Sequence, residues 1–318
     1  MPPLPTPAEI RAAASRIEGV ARRTPLRHSR SLSEIVRGDV HLKLETEQDT
    51  GSFKIRGAFN AIASLPADVR ARGVVASSAG NHGLGVAVAA HHFGIPARIF
   101  VPRAAPEIKK RGIAGYGAEV DDGQPDYDAA MTAAKRHAAE QKLSFINPCL
   151  GDTLLAGQGT VALEIVEDLP SVASVVLPVG GAGLLGGCAG LLRAEAPHVR
   201  ILGAQSVKTA AMARSLAAGQ LVAIDSEPTL ADGLAGQIDG EALEIGRRGL
   251  DGIVMLEETE IARAIAWLVG HEAIVAEGAG AVGVAAVLEQ RYAELPAPIV
   301  IVVSGGNIDS TILKQIVS

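Results

Sequence analysis

Apolar residues along the chain fall into two alternating rhythms. Ile10, Ala14, Ile17 and Val20 recur near helical spacing, so residues 7–22 read as an amphipathic helix. Val40–Leu44 reads as a short strand, and residues 52–65 as a helix closed by Pro66. Beyond that, one unit recurs: an apolar strand, a tight turn, an apolar helix. It occupies residues 73–90, 95–110 (with Pro102 in place of a glycine turn), 174–192 and 299–316. Strands alternating with helices predict an α/β fold with a mainly parallel sheet covered on both faces. There is no fixed-length repeat, no low-complexity segment and no Pro/Gly/Ser linker; residues 121–128 are polar and turn-rich but short.

Composition narrows this. The 318 residues are enough for one large or two modest domains. Hydrophobic residues make up 48%, but aromatics only 3%, and there are 36 glycines, so small apolar side chains must build a tightly packed interior. A net charge of −6 with so few aromatics lacks the basic footprint and stacking platforms of a nucleic-acid binder. Two cysteines, Cys149 and Cys188, make neither a disulfide framework nor a four-cysteine metal site. The first residues lack the basic start and apolar core of a signal peptide. Residues 172–192 carry no charge and approach the length of a membrane span. Pro178 and six glycines within them fit a strand, a glycine turn and a buried helix better. The expectation is a cytoplasmic protein with no membrane partner.

In such sheets, ligands bind where strands end and helices begin. Four segments fall there or at a helix start: residues 50–57, 77–83, 180–187 and 304–307. Gly180, Gly181, Gly183 and Gly186 follow an apolar strand. Glycines let backbone N–H groups approach an anion, and a helix N-terminus favours negative charge, so a phosphate site is the natural reading. Close helix–sheet packing would use the same residues. Gly181, Gly183 and Gly186 also match a dinucleotide fingerprint, which needs an acidic residue about 20 positions later. The strand at 198–204 is followed by Gln205, so an NAD-dependent oxidoreductase loses its ribose partner.

The other three segments carry side-chain chemistry. Lys54 stands at a helix start, where the positive dipole end and Arg56 both favour the neutral, nucleophilic amine. A solvated surface lysine would look the same in isolation. Asn81, in Ser78-Ala79-Gly80-Asn81, offers an amide that donates and accepts, suited to a phenolate or a carboxylate. A capped turn is the plainer alternative. Ser304 puts a hydroxyl at the end of an apolar strand, where it could meet a ring nitrogen or cap the last helix.

Taken in this order, the segments resemble the fold-type II pyridoxal 5′-phosphate (PLP) enzymes, and within them the serine/threonine dehydratases and serine racemases. The resemblance runs from Thr24-Pro25-Leu26 to the final helix. It includes Leu42-Lys43-Leu44-Glu45, Ala156-Gly157-Gln158-Gly159-Thr160, Thr229-Leu230-Ala231-Asp232-Gly233 and Glu277-Gly278-Ala279-Gly280. It implies two open, mainly parallel-sheet domains of the tryptophan synthase β-like architecture with PLP in the cleft. The large domain would be residues 1–68 plus 150–318, and a small mobile domain residues 69–149. Lys54 would carry PLP as a Schiff base and Phe53 would back its ring. Asn81 would bond the ring 3′-oxygen. Gly180, Gly181, Ala182, Gly183 and Leu184 would cradle the phosphate, and Ser304 would face the pyridine nitrogen. Ser78, Asn81 and His82 would lie near the substrate carboxylate. The freed lysine would take the Cα proton and PLP would act as electron sink, so that a 3-hydroxy amino acid such as L-threonine or L-serine loses water and yields a keto acid and ammonia. A homodimer is expected, and no regulatory domain is expected after residue 318.

Three departures refine this. Serine racemases of the family carry Ser-Ser-Gly-Asn, whose second serine is the opposite-face base. Here it is Ala79, and a methyl group cannot move a proton, so dehydration is favoured over racemisation. The divalent-metal carboxylates of racemase-like members correspond to Gln205 and Ala211, so no metal is expected. Cys149 stands where a larger or more polar residue is commoner. It reads as a small buried hydrophobe or as a change in the substrate pocket. The latter leaves room for another 3-hydroxy amino acid or a role in hydroxyectoine breakdown.

Overall fold

The computed structural model describes residues 4–225 and 227–318. Among them lie ten strands in two sheets. Those of the six-stranded sheet are β1 (Leu26–His28), β2 (Val40–Leu44), β7 (Ser174–Pro178), β8 (Arg200–Ser206), β9 (Gly252–Leu256) and β10 (Ile299–Val303), in the order β1-β2-β10-β7-β8-β9. The four-stranded sheet has the order β5-β4-β3-β6, from β3 (Val74–Ser77), β4 (Ala97–Pro102), β5 (Glu119–Gln124) and β6 (Ser144–Phe145). Every pairing is parallel except β1 with β2. The apolar runs go where burial demands. Every residue of β7 and β10 is buried, as in a strand covered on both faces. The polar β5 takes an edge, where one side needs no partner.

Helix Lys54–Ala63 packs against helices Asn81–Phe93 and Asp152–Asp168. Its crossing with the latter is close: a Cβ added to Gly157 would lie 2.5 Å from the Arg56 carbonyl oxygen. Two helices are shorter than their apolar spacing predicts. The first is Pro7–Ile17, ended where Gly19 turns the chain at φ +78°. The helix expected from residue 52 begins at Lys54, because residues 51–53 are captured by another segment. Strand β8 runs through Gln205 to Ser206, two residues past the expected end. No helix among the described residues is long and apolar enough to cross a membrane.

Candidate active site

The strand ends converge. Residues 51–53 are stitched to residues 304–306, just past β10: Phe53 N donates to Ser304 O at 3.1 Å, Gly306 N donates to Gly51 O at 2.9 Å, and Ser52 bridges Gly305. This sets Lys54, the first residue of its helix, beside the end of a central strand. Its Nζ lies 5.3 Å from the Phe53 ring centroid and donates to Pro148 O at 2.9 Å.

Arg56, two residues on from Lys54, has partners of its own. Its guanidinium is fully buried and forked between two carboxylates, Glu45 at 2.8 Å and Glu164 at 2.6 Å. Lys43 joins Glu164 at 2.5 Å, so two buried cations face two buried anions. Burial opposes the charge on Glu45, yet Arg56 holds its carboxyl below the usual range. With its charge cancelled locally, Arg56 fastens the lysine-bearing helix to Glu45, just past β2, and to helix Asp152–Asp168.

Asn81 opens the helix after β3, and its amide is held at both ends. Nδ2 donates to Glu277 Oε1 at 2.7 Å, and Oδ1 accepts from Asn307 Nδ2 at 2.7 Å. Asn307 Nδ2 also donates to Thr50 O at 2.8 Å. Glu277 is buried at the start of helix Gly278–Leu288, and its backbone N donates to Gly305 O at 3.1 Å. Burial, and then nearby Asp232, push its carboxyl up to about 7, against the pull of the Asn81 hydrogen bond. Among the described residues, Asn81 Nδ2 donates to Glu277 alone, which leaves its second N–H for a ligand. Glu277 and Asn307 lie in segments that stand out in the sequence, but no local spacing ties them to Asn81.

Between β7 and helix Gly183–Glu195, the amides of Gly180, Gly181, Ala182, Gly183 and Leu184 have no acceptor among the described residues. Ala182 adopts a left-handed conformation (φ +69°), which turns successive N–H groups into one concavity at the helix N-terminus. Cys149 closes one side: a Cβ on Gly181 would lie 2.5 Å from its Sγ. The cysteine is half-buried, in a loop braced by the Asn147 carboxamide oxygen, which accepts from Cys149 N and Leu150 N at 2.9 and 3.0 Å.

Ser78 and Ala79 are half-buried between β3 and Asn81. Ser78 Oγ accepts from Gly80 N at 3.2 Å. His82 differs: its imidazole is buried, bonded through Nε2 to Ile146 O at 3.0 Å, and its Nδ1 has no partner among the described residues. Burial, and then Lys54, push its pKa down to about 3, so the ring is neutral. The amides of Asn81 and His82, at the open helix end, have no acceptor among the described residues. Gln205 is buried and spent locally, Nε2 donating to Thr209 O and Oε1 accepting from Ala213 N, both at 2.9 Å. Among the described residues, no group of three or more His, Cys, Asp or Glu is placed to hold a metal ion.

The model of the pyridoxal-phosphate dependent enzyme family matches residues 17–305. The chain belongs to that family. It is 44% identical over 311 residues to L-threonine ammonia-lyase of Thermotoga maritima, covering 98% of this chain and 77% of that protein. Maize serine racemase superposes with a TM-score of 0.93 at 34% identity, covering 98% of this chain and 96% of that one. A threonine deaminase from T.th. superposes with a TM-score of 0.90 at 34% identity, covering 96% of this chain and 99% of that one. The site's donors suit the family's cofactor. An amide cradle on a helix N-terminus matches a phosphate, and a primary amine beside it matches an aldehyde. An NAD-dependent oxidoreductase is set aside.

Proposed function

We propose that the chain is a PLP-dependent dehydratase that removes water from a small 3-hydroxy amino acid, such as L-threonine or L-serine, to give a 2-keto acid and ammonia. One observation supports this above the others: Lys54, Asn81, Ser304 and a run of amides with no acceptor among the described residues, drawn from four distant segments, lie at the strand ends. PLP, when bound, draws electrons from the substrate Cα.

The residues divide the remaining work. The amides of Gly180, Gly181, Ala182, Gly183 and Leu184 hold the phosphate. Phe53 backs the ring, Ser304 meets its nitrogen, and the free N–H of Asn81 meets its 3′-oxygen. Lys54 Nζ holds the cofactor and then accepts the Cα proton. The open helix end at Asn81 and His82, with Ser78, orients the substrate carboxylate through backbone N–H groups. The His82 imidazole, neutral and bonded to Ile146, contributes packing rather than charge. Residues 69–149 form the domain that closes over substrate and residues 1–68 with 150–318 the cofactor domain. The working form is a cytoplasmic homodimer.

The likeness to maize serine racemase makes racemisation the second reading. Ala79 opposes it, since a methyl group stands where the racemases carry the serine that acts as the opposite-face base. Incubating the holoenzyme with L-serine and measuring pyruvate against D-serine separates the two. Pyruvate without D-serine is expected; D-serine as the main product would overturn the dehydratase reading.

A further inference from the structure

Lys109 and Asp232 are not among the residues given a role around Lys54, and they come from elements of the two different sheets. Lys109 is in the first turn of helix Glu107–Ala114, which follows β4 of the four-stranded sheet. Asp232 opens the turn Asp232–Leu234, between β8 and β9 of the six-stranded sheet. Their side chains pair at 3.0 Å, with 30% and 59% of each exposed. Among the described residues neither side chain has a second hydrogen-bond or ion-pair partner.

The turn that carries Asp232 is part of the site's wall. A Cβ on Gly180, in the amide cradle, would lie 3.0 Å from Leu234 Cα. A Cβ on Gly233 would lie 3.1 Å from the Ala279 methyl and 3.8 Å from Glu277 Oε1. Asp232 is thus mechanically continuous with the cradle and with the carboxylate that holds Asn81. Lys109 is fixed to the sheet that carries Asn81. The pair therefore joins the two halves of the site near the protein surface.

We propose that Lys109 and Asp232 are positioning residues that clasp the four-stranded-sheet domain to the cofactor wall, so that the ion pair favours the closed cleft during turnover. An exposed pair suits this task. It is weak enough to open each cycle and is screened by salt, whereas a buried pair would be costly to break. The part of this inference that concerns turnover rests on the dehydratase reading; the clasp itself does not.

The test uses holoenzyme carrying Asp232→Asn, Lys109→Met, or the exchanged pair Lys109→Asp with Asp232→Lys. Two readouts are taken: kcat and KM for L-threonine at low and high NaCl, and amide hydrogen exchange across residues 107–114 and 229–235. Each single variant should raise KM about two- to five-fold, the range an exposed pair can supply. Exchange should quicken in both segments, and the exchanged pair should recover most of both effects. Salt should raise the wild-type KM and leave that of Asp232→Asn nearly flat. Unchanged exchange in the single variants, or an exchanged pair no better than they are, would overturn the clasp. If the wild type turns over no 3-hydroxy amino acid, the dehydratase reading fails and the exchange data alone decide the clasp.

Discussion

At the residue scale, Glu277 is the group whose state matters most to its neighbours. It accepts from Asn81 inside a buried pocket, and its carboxyl titrates near 7 instead of its ordinary 4.5. Between those values the folded chain keeps a proton that the unfolded chain has released. Stability contributed by the protonated group is therefore present below about pH 4.5 and lost as pH rises through 7, by about 3 kcal/mol. Glu277→Gln keeps an acceptor for Asn81 and cannot titrate. Urea unfolding of the apoprotein at pH 5 and pH 8 should show a smaller loss of stability in the variant than in the wild type; equal losses would contradict the assignment. Arg56 is the opposite case, a permanent charge inside the fold. Arg56→Met leaves Glu45 and Glu164 facing each other with Lys43 alone, and the denaturation midpoint should fall by the equivalent of about 3–5 kcal/mol. Lys54, Asn81 and Ser304 were legible in the sequence as candidates because each sits beside a turn signal. Their partners were not: Asn81 meets Glu277 across 196 positions, and only tertiary folding sets that distance. The same holds for Arg56, whose two carboxylate partners, Glu45 and Glu164, no local spacing reveals.

At the scale of elements, the strands were the most legible. Val40–Leu44 matches the predicted strand residue for residue, and the Val/Ile runs of β7 and β10 lie buried as expected. Helix ends were less so, because they depend on what captures the chain beyond them. Residues 52 and 53 fall within the predicted helix, yet they pair with residues 305 and 304. The glycine turn after β7, a candidate phosphate site in the sequence, has five successive amides with no acceptor among the described residues. The sequence did not reveal that Cys149 abuts it. Gly181→Ala would drive a methyl into that sulfur, 2.5 Å away, and should weaken PLP retention about ten-fold or more, measured by dialysis and absorbance. Adding Cys149→Gly removes the obstructing atoms and should restore part of the loss. Full retention in Gly181→Ala alone would show that the loop yields without cost.

At the scale of the whole molecule, two mainly parallel sheets each supply part of the site from the segments that follow their strands. The four-stranded sheet brings Asn81, and the six-stranded sheet brings Ser304 and the amide cradle. Alternating strands and helices made the α/β class legible, but the order β1-β2-β10-β7-β8-β9 joins segments that no local pattern links. In solution, light scattering should give a mass near twice 32.6 kDa if the working form is a homodimer; a single-chain mass in the active fractions would contradict it. The central claim is tested most directly by following ammonia and 2-oxobutanoate together as PLP-loaded enzyme consumes L-threonine, beside Lys54→Ala. The account predicts equal amounts of the two products from the wild type and a rate at least about 10²-fold lower in the variant. Ammonia without the keto acid, or equal rates from both proteins, would contradict it.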